Sequence, residues 1–339
     1  MTQKKKILLT GGAGYIGAHT AVELIRQGFD TVLIDNFSKS DQTLLKGIEK
    51  IVNQKINFYE GDCCDGEFLD SLFSKNKFDS VIHFAAYKSV KESVLHPLKY
   101  YENNLRSLTT LLAAMDKHKV NEMIFSSSCT VYGQPDIIPV DENAPLKRAE
   151  SPYGATKQMC ERMLEDAVSA NKNLKVVSLR YFNPIGAHPS ALIGEMPTDV
   201  PDNLVPYVTQ TAAGIRQKLT VFGDDYPTPD GSCLRDFIHV VDLAQAHVKA
   251  VERINELPNR MEYLNLGTGE GVSVLQLIKK FIEVTGVKLN YEIGTRRPGD
   301  VVKTYADASK AYKLLGWKTQ LSLEEALKDA WRWQKKISV

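Results

Sequence analysis

Apolar positions in the first half of the chain fall in short unbroken runs, separated by segments in which they recur at helical intervals. Ile7-Leu8-Leu9-Thr10 is one such run and ends in glycines. Ile16, Ala21, Leu24 and Ile25 then follow helical spacing, and Thr31-Val32-Leu33-Ile34 forms a second run that stops at Asp35. Strand, tight turn, helix and strand within about thirty residues is the size of a parallel strand-helix-strand unit. The alternation continues with helices predicted at Asp41–Ile51, Glu67–Phe73, Lys99–His118 and Ser151–Ala170. Strands are predicted at Ile56–Tyr59, Ser80–Phe84, Glu122–Ser126 and Lys175–Arg180.

Six apolar strands alternating with helices predict an α/β fold with a doubly wound, Rossmann-type parallel sheet, buried on both faces. Ligands of such a sheet lie beyond the carboxyl ends of its strands. Function is therefore expected in Gly11–Gly17, Asp35-Asn36, Asp62-Cys63, Ala85-Ala86-Tyr87-Lys88, Ser127-Ser128-Cys129-Thr130 and Tyr181-Phe182-Asn183. Near Pro184 the pattern changes: prolines and glycines cluster, and regular alternation stops. Residues 1–183 read as the nucleotide-binding domain and 184–339 as a smaller α/β substrate lobe. A helix-strand pair around Phe237–Leu266 is placed to return to the first sheet. Helices are expected at Asn203–Ile215, Val241–Ile254, Val274–Thr285, Ser309–Leu315 and Leu323–Lys335, and strands at Leu219–Phe222 and Tyr263–Leu266.

The first turn carries the first chemical signal. Gly11 permits the bend, Gly14 lets backbone approach a pyrophosphate, and Gly17 allows close packing of the helix. Free N–H groups of the new helix then face the phosphates. Asp35, eighteen residues past Gly17, is placed to accept hydrogen bonds from an adenosine ribose and to repel a 2′-phosphate, so NAD is favoured over NADP.

Composition narrows the class. The 339 residues are 43% hydrophobic and 24% charged, as in soluble globular chains. A net charge of +1 gives no general reason to expect nucleic acid or a membrane surface as partner. Five cysteines without a C-x-x-C pair suggest a reducing compartment and no metal site. No apolar run approaches the ~18 residues of a membrane span, and the charged N-terminus that enters a strand at once does not read as a secretory signal. A cytoplasmic location is expected.

The reacting groups are sought after the fifth strand, which ends in Ser127-Ser128, and in the helix that opens Ser151-Pro152-Tyr153-Gly154-Ala155-Thr156-Lys157. Ser151 suits the N-cap and Pro152 the first helical position, so Tyr153 and Lys157 share one face of the first turns. A second Tyr-x-x-x-Lys pair, Tyr87 and Lys91, lacks this setting. A tyrosine acting as a base near neutral pH needs its pKa lowered by roughly three units, about 4 kcal/mol. One cation at ~4–5 Å supplies about 3–4 kcal/mol at an effective dielectric near 20. Lys157 together with a positively charged nicotinamide is then sufficient, and Ser128 can hold the reacting hydroxyl in line.

Several stretches resemble the extended short-chain dehydrogenase/reductases: Gly11–Gly17, Ser126–Gly133, Ser151-Pro152-Tyr153-Gly154 with Lys157, and Arg180–Pro184. Others, including Gly186–Pro189, Pro201–Leu204, Phe222–Pro227, Arg235–Val240 and Ala306–Lys310, extend the resemblance over essentially the whole chain to the UDP-glucose 4-epimerase family. The resemblance implies that Tyr153 takes the 4-hydroxyl proton of a UDP-hexose while hydride passes from C4 to tightly bound NAD. The resulting 4-keto sugar turns over in the pocket, and hydride returns to its other face. It also implies NAD contacts from Gly11, Gly14, Tyr15, Ile16, Gly17, Asp35, Asn36, Asp62, Cys63, Phe84, Ala85, Lys88, Asn103, Tyr153, Lys157 and Phe182. Substrate contacts are implied for Ser128, Tyr153, Asn183, Asn203, Leu204, Phe222, Arg235, Arg297, Asp300 and Thr304. The small Thr304 predicts room for N-acetylated UDP-sugars. Other UDP-sugar 4-epimerases, specific for UDP-glucuronate or UDP-N-acetylglucosamine, are alternatives. A 4,6-dehydratase is disfavoured, since resembling dehydratases carry Thr-Asp-Glu where this chain has Ser128-Cys129-Thr130. A non-catalytic NAD-binding protein is disfavoured because both Tyr153 and Lys157 are present. A homodimer through Lys99–His118 and Ser151–Ala170 is expected by analogy of fold.

Overall fold

The computed structural model describes residues 4–198, 200–296 and 301–338. Strands β1 (Lys6–Thr10), β2 (Asp30–Asp35), β3 (Asn57–Glu60), β4 (Ser80–His83), β5 (Glu122–Ser128) and β6 (Lys175–Tyr181) come first. They are interleaved with helices α1 (Tyr15–Arg26), α2 (Gln42–Val52), α3 (Gly66–Lys75), α4 (Val90–Leu95), α5 (Pro97–Lys117) and α6 (Pro152–Ala170). Next come β7 (Asn183–Ile185), α7 (Leu204–Ala212), β8 (Leu219–Phe222), β9 (Leu234–Arg235), β10 (Phe237–His239), α8 (Val240–Arg253) and β11 (Met261–Leu266). The chain closes with β12 (Val272–Ser273), α9 (Val274–Thr285), β13 (Tyr291–Gly294), β14 (Lys303–Thr304), α10 (Ser309–Leu315) and α11 (Leu323–Ile337).

The main sheet runs β11-β6-β5-β4-β1-β2-β3, with every neighbouring pair parallel. Strand order reverses between β1 and β4, the switch point at which such sheets open a crevice for a ligand. Side chains alternate faces as the pleat requires. Ile7 and Leu9 of β1 join the core beneath α1, α2 and α8, whereas Leu8 joins the one beneath α3, α5 and α6. Each fully buried Leu, Ile or Val contributes about 1.5–3 kcal/mol, so the two layers hold the rim of the sheet rigidly.

The second lobe has its own core, in which Val205, Val208, Leu219, Val221, Leu277, Phe281 and Leu327 pack together. Its strands form small ladders: β8 with β13, β7 with β10, and β9 between β12 and β14. Several of these are two or three residues long, too short to leave a period in the sequence.

Three expectations need correcting. β3 is mostly exposed rather than buried, because it forms the edge of the sheet. Of the returning segment, β11 joins the main sheet beside β6, but β10 pairs with β7 instead. The helix expected from Lys99 starts at Pro97, since proline suits a first turn, and the separate short helix α4 precedes it.

Candidate active site

The sheet brings the expected residues to one rim. Gly11–Gly17 follow β1, Asn36 follows β2, Asp62 and Cys63 follow β3, Phe84 and Ala85 follow β4, Ser128 ends β5, and Phe182 and Asn183 follow β6. All of these strands are parallel, so these positions share their carboxyl ends.

The glycine turn fits its expected shape. Gly11 has φ +69°, a conformation that side chains other than glycine's resist, and an added Cβ would sit 2.9 Å from the Ala85 amide nitrogen. A Cβ on Gly17 would come within 2.3 Å of the Gly11 carbonyl oxygen, so the third glycine packs the helix against the turn itself. Gly14 caps α1 without a side-chain bond, and the first helical turn carries no acidic residue. The N–H groups there are suited to an anion. Asp35 is buried; its Oδ2 accepts the Ala13 N–H at 3.1 Å, and its Oδ1 accepts from Phe37 N and Ser40 Oγ. Burial raises its pKa, with these hydrogen bonds opposing. Asn36 donates to Asp62 at 3.0 Å, joining the ends of β2 and β3.

Some expected contacts are turned elsewhere. The Tyr15 hydroxyl donates to the Gly186 carbonyl at 2.7 Å, leaving its backbone for a ligand, and the Cys63 thiol is buried in the core beneath α3. Phe182 lies in a small cluster with Val131, Tyr132, Val140 and Ala306, while Phe84 packs on His247. Asn103 donates to Asn104, whose own amide donates to Tyr87 O and Thr156 Oγ1. Lys88 and Asn203 both reach Glu195, at 2.8 and 2.7 Å on the same oxygen. Glu195, which no local sequence pattern marks, thus links a residue beyond β4 to the N-cap of α7.

Around the reacting pair, Ser151 caps α6 by accepting the Gly154 N–H at 3.2 Å. That sets Tyr153 and Lys157 on the face toward β5. Lys157 Nζ donates to the Ser126 carbonyl at 2.6 Å and lies 4.9 Å above the Phe125 ring and 6.0 Å from the Tyr153 ring centre. Burial lowers its pKa to about 8, opposed by the neighbouring Cys160 and Glu161. Burial pushes Tyr153 up to about 12, with hydrogen bonding to Ser128 pulling it down. The protein's own groups thus leave the phenol protonated, and the expected base needs a second positive charge beside it.

On the substrate side, Asn183 donates its N–H to Asp236 O, while its buried side-chain oxygen has no hydrogen-bond partner among the described residues. That unsatisfied acceptor is suited to a ligand donor. Arg235 donates to the Leu234 and Val301 carbonyls, and Thr304 pairs with Arg235 across β14 and β9. Leu204 packs on the second core and Phe222 ends β8, partly exposed. Arg297 and Asp300 lie outside the described residues. The glycine-rich turn after β11 is structural: Asp236 accepts from Thr268 N, Thr268 Oγ1, Gly269 N and Ala306 N. Cys129 and Thr130 sit in a single helical turn after Ser128 and provide neither the acid nor the base of an elimination. Among the described residues no group of His, Cys, Asp and Glu could hold a metal, and no helix is long and apolar enough to cross a membrane.

A doubly wound sheet with a glycine turn at its switch point and a serine, tyrosine and lysine gathered at β5 and α6 is the arrangement of a short-chain dehydrogenase/reductase. Comparison with known proteins agrees: a family model described as GDP-mannose 4,6 dehydratase matches residues 8–330. A UDP-glucose 4-epimerase of Bacillus subtilis is 50% identical over 328 residues, covering 97% of this chain and 96% of that one. The chain belongs to this family, and within it to the UDP-glucose 4-epimerases. The solved Bifidobacterium longum UDP-glucose 4-epimerase, in complex with NAD+ and UDP, superposes with a TM-score of 0.95 at 45% identity, covering 98% of each chain. The UDP-Glc/GlcNAc 4-epimerase of Campylobacter jejuni superposes with a TM-score of 0.85 at 38% identity, covering 98% of this chain and 99% of that one.

Proposed function

We propose that the protein interconverts UDP-glucose and UDP-galactose by epimerisation at C4, with NAD as a retained cofactor. The observation that carries this reading is the set of buried Ser128 and Lys157 with half-buried Tyr153 at the rim of an NAD-type sheet, in a chain half identical to a UDP-glucose 4-epimerase over nearly its full length. NAD, when bound, supplies a hydride acceptor that gives the hydride back, together with the positive charge of its nicotinamide.

The chain's own residues do the rest. Tyr153 removes the 4-hydroxyl proton and later returns it, so the proton balance closes over the cycle just as the hydride balance does. Lys157, fixed on the Ser126 carbonyl, stabilises the phenolate, and Ser128 orients the hydroxyl that loses its proton. The turn at Gly11, Gly14, Ile16 and Gly17 holds the pyrophosphate of NAD and Asp35 holds its ribose. Asn36, Asp62, Phe84, Ala85, Lys88, Asn103 and Phe182 complete that side. Asn183, Asn203, Leu204, Phe222 and Arg235 take the UDP-sugar, with Arg297 and Asp300. Residues 1–183 with the returning β11 serve the cofactor, and the rest of 184–339 the substrate.

Thr304 is small and extends the substrate range to N-acetylated UDP-sugars, as the name of the Campylobacter relative suggests for that protein. A homodimer forms over α5 and α6. Leu98 is 78% exposed, and Val94, Leu95 and Met159 are also exposed on or beside these helices, an apolar face suited to a second copy. Sedimentation as a monomer at micromolar concentration would refute that assembly. The activity itself is tested by incubating the purified protein with UDP-galactose without added NAD and separating the UDP-sugars. UDP-glucose must form; an unchanged substrate pool contradicts the reading.

A further inference from the structure

Three consecutive serines end β5, and each has a different task. The Ser126 carbonyl holds the Lys157 ammonium, and Ser128 hydrogen-bonds the Tyr153 phenol. Between them, Ser127 Oγ donates to Glu161 at 2.8 Å. Glu161 lies one helical turn beyond Lys157 on α6, on the same face. Its Oε1 also accepts from Ser178 Oγ at 2.8 Å and Arg180 Nε at 2.9 Å, and its Oε2 accepts from Arg180 Nη2 at 2.8 Å. Both side chains are almost fully buried, with 2% and 4% exposed. Arg180 is held in turn by the Tyr132 hydroxyl at 3.0 Å and is stacked between the Tyr132 and Tyr263 rings. Register pairs Ser127 with Arg180 across β5 and β6, so one carboxylate ties α6 to both strands.

We propose that Glu161, clamped by Arg180, is a positioning residue for the Ser128, Tyr153 and Lys157 set: it fixes the end of β5 and keeps the Lys157 ammonium charged. The proposal rests on the reading of Tyr153 as base and Lys157 as its cation. Few groups compete for this role. Acting on Lys157 are Cys160 and Glu161 of α6 and His83 of β4, and it meets the Tyr153 ring of α6 and the Phe125 ring and Ser126 carbonyl of β5; Arg180 of β6 is paired with Glu161, and the Asn104 carbonyl of α5 accepts from Cys160. Glu161 is the one carboxylate in this set, and His83 is held neutral by burial, its pKa lowered to about 3. Ordinarily a buried pair is weak grounds for stability, so the role is sought in geometry and charge.

The test uses the holoenzyme, with NMR titration of selectively labelled lysine and the pH profile of kcat. In Glu161→Gln the Lys157 ammonium titrates about one pH unit lower and the alkaline limb of kcat moves with it. Glu161→Asp keeps the charge, leaves the limb in place and lowers kcat through misplacement of β5. Ser127→Ala lowers kcat about tenfold with KM and the limb unchanged; if Glu161→Gln fails to fold, this variant and Glu161→Asp carry the test. A folded Glu161→Gln with wild-type Lys157 titration, or wild-type kcat in Ser127→Ala, overturns the proposal. Lys157→Met is run in parallel. If it stays active, the underlying reading of the base has failed, whereas an inactive Lys157→Met beside an unaltered Glu161→Gln condemns the positioning role alone.

Discussion

Burial of the Tyr153 phenol holds its pKa near 12, while a base working at neutral pH must exist in part as phenolate. Lys157 is fixed by one short bond to a carbonyl, so its charge is delivered at a set place but does not by itself overcome the burial. A phenol so buried needs further positive charge to act as a base, so the proton removal proposed for Tyr153 depends on bound cofactor. Tyr153, Lys157 and Ser128 were legible in the sequence because a local pattern, a capped helix start with i and i+4 residues after a serine-tipped strand, places them. Glu161, Glu195 and Asn104 were not, because their partners lie far along the chain or in another lobe. At the substrate end, Thr304→Tyr is expected to reduce turnover of UDP-N-acetylglucosamine by roughly tenfold or more, relative to UDP-galactose, through loss of room. Turnover of both sugars at wild-type rates would show that this side chain does not line the pocket.

The unit of β1, the glycine turn and α1 depends on backbone contacts that no side chain can replace. Gly17→Ala places a Cβ 2.3 Å from the Gly11 carbonyl oxygen and 3.0 Å from Gly12 Cα, both backbone atoms. The turn must shift, so about 1–3 kcal/mol of stability is lost and NAD is retained less well after gel filtration. A thermal midpoint and bound NAD equal to wild type would contradict this account of the turn. The helices and strands of the main sheet were legible because burial on two faces leaves strong periodic signals. The short ladders of the second lobe were not: β9, β12 and β14 are two residues each, held by pairing across distant segments. The edge position of β3 was also hidden, since only the completed strand order reveals it.

Across the molecule, burial keeps four of the seven histidines neutral: His19 and His83 are lowered to about 3, His188 and His247 to about 4. The unfolded chain takes up protons at these positions near pH 6.5 while the folded chain does not. Their contribution is thus fully present above pH 6.5 and is lost as pH falls toward 4, each histidine withdrawing up to about 1.4 kcal/mol per pH unit. Asp35, Asp236 and Asp242, whose pKa values burial raises, act in the opposite sense where they titrate. The thermal midpoint should fall steeply between pH 6.5 and 4, and a flat profile there would mean that these histidines are not buried neutral. The central claim concerns the whole assembly of sheet, turn and α6, and substitution of Tyr153 by Phe tests it most directly. The variant should purify with NAD bound yet convert UDP-galactose to UDP-glucose roughly a hundredfold or more slowly than wild type. Wild-type turnover in that variant would contradict the account.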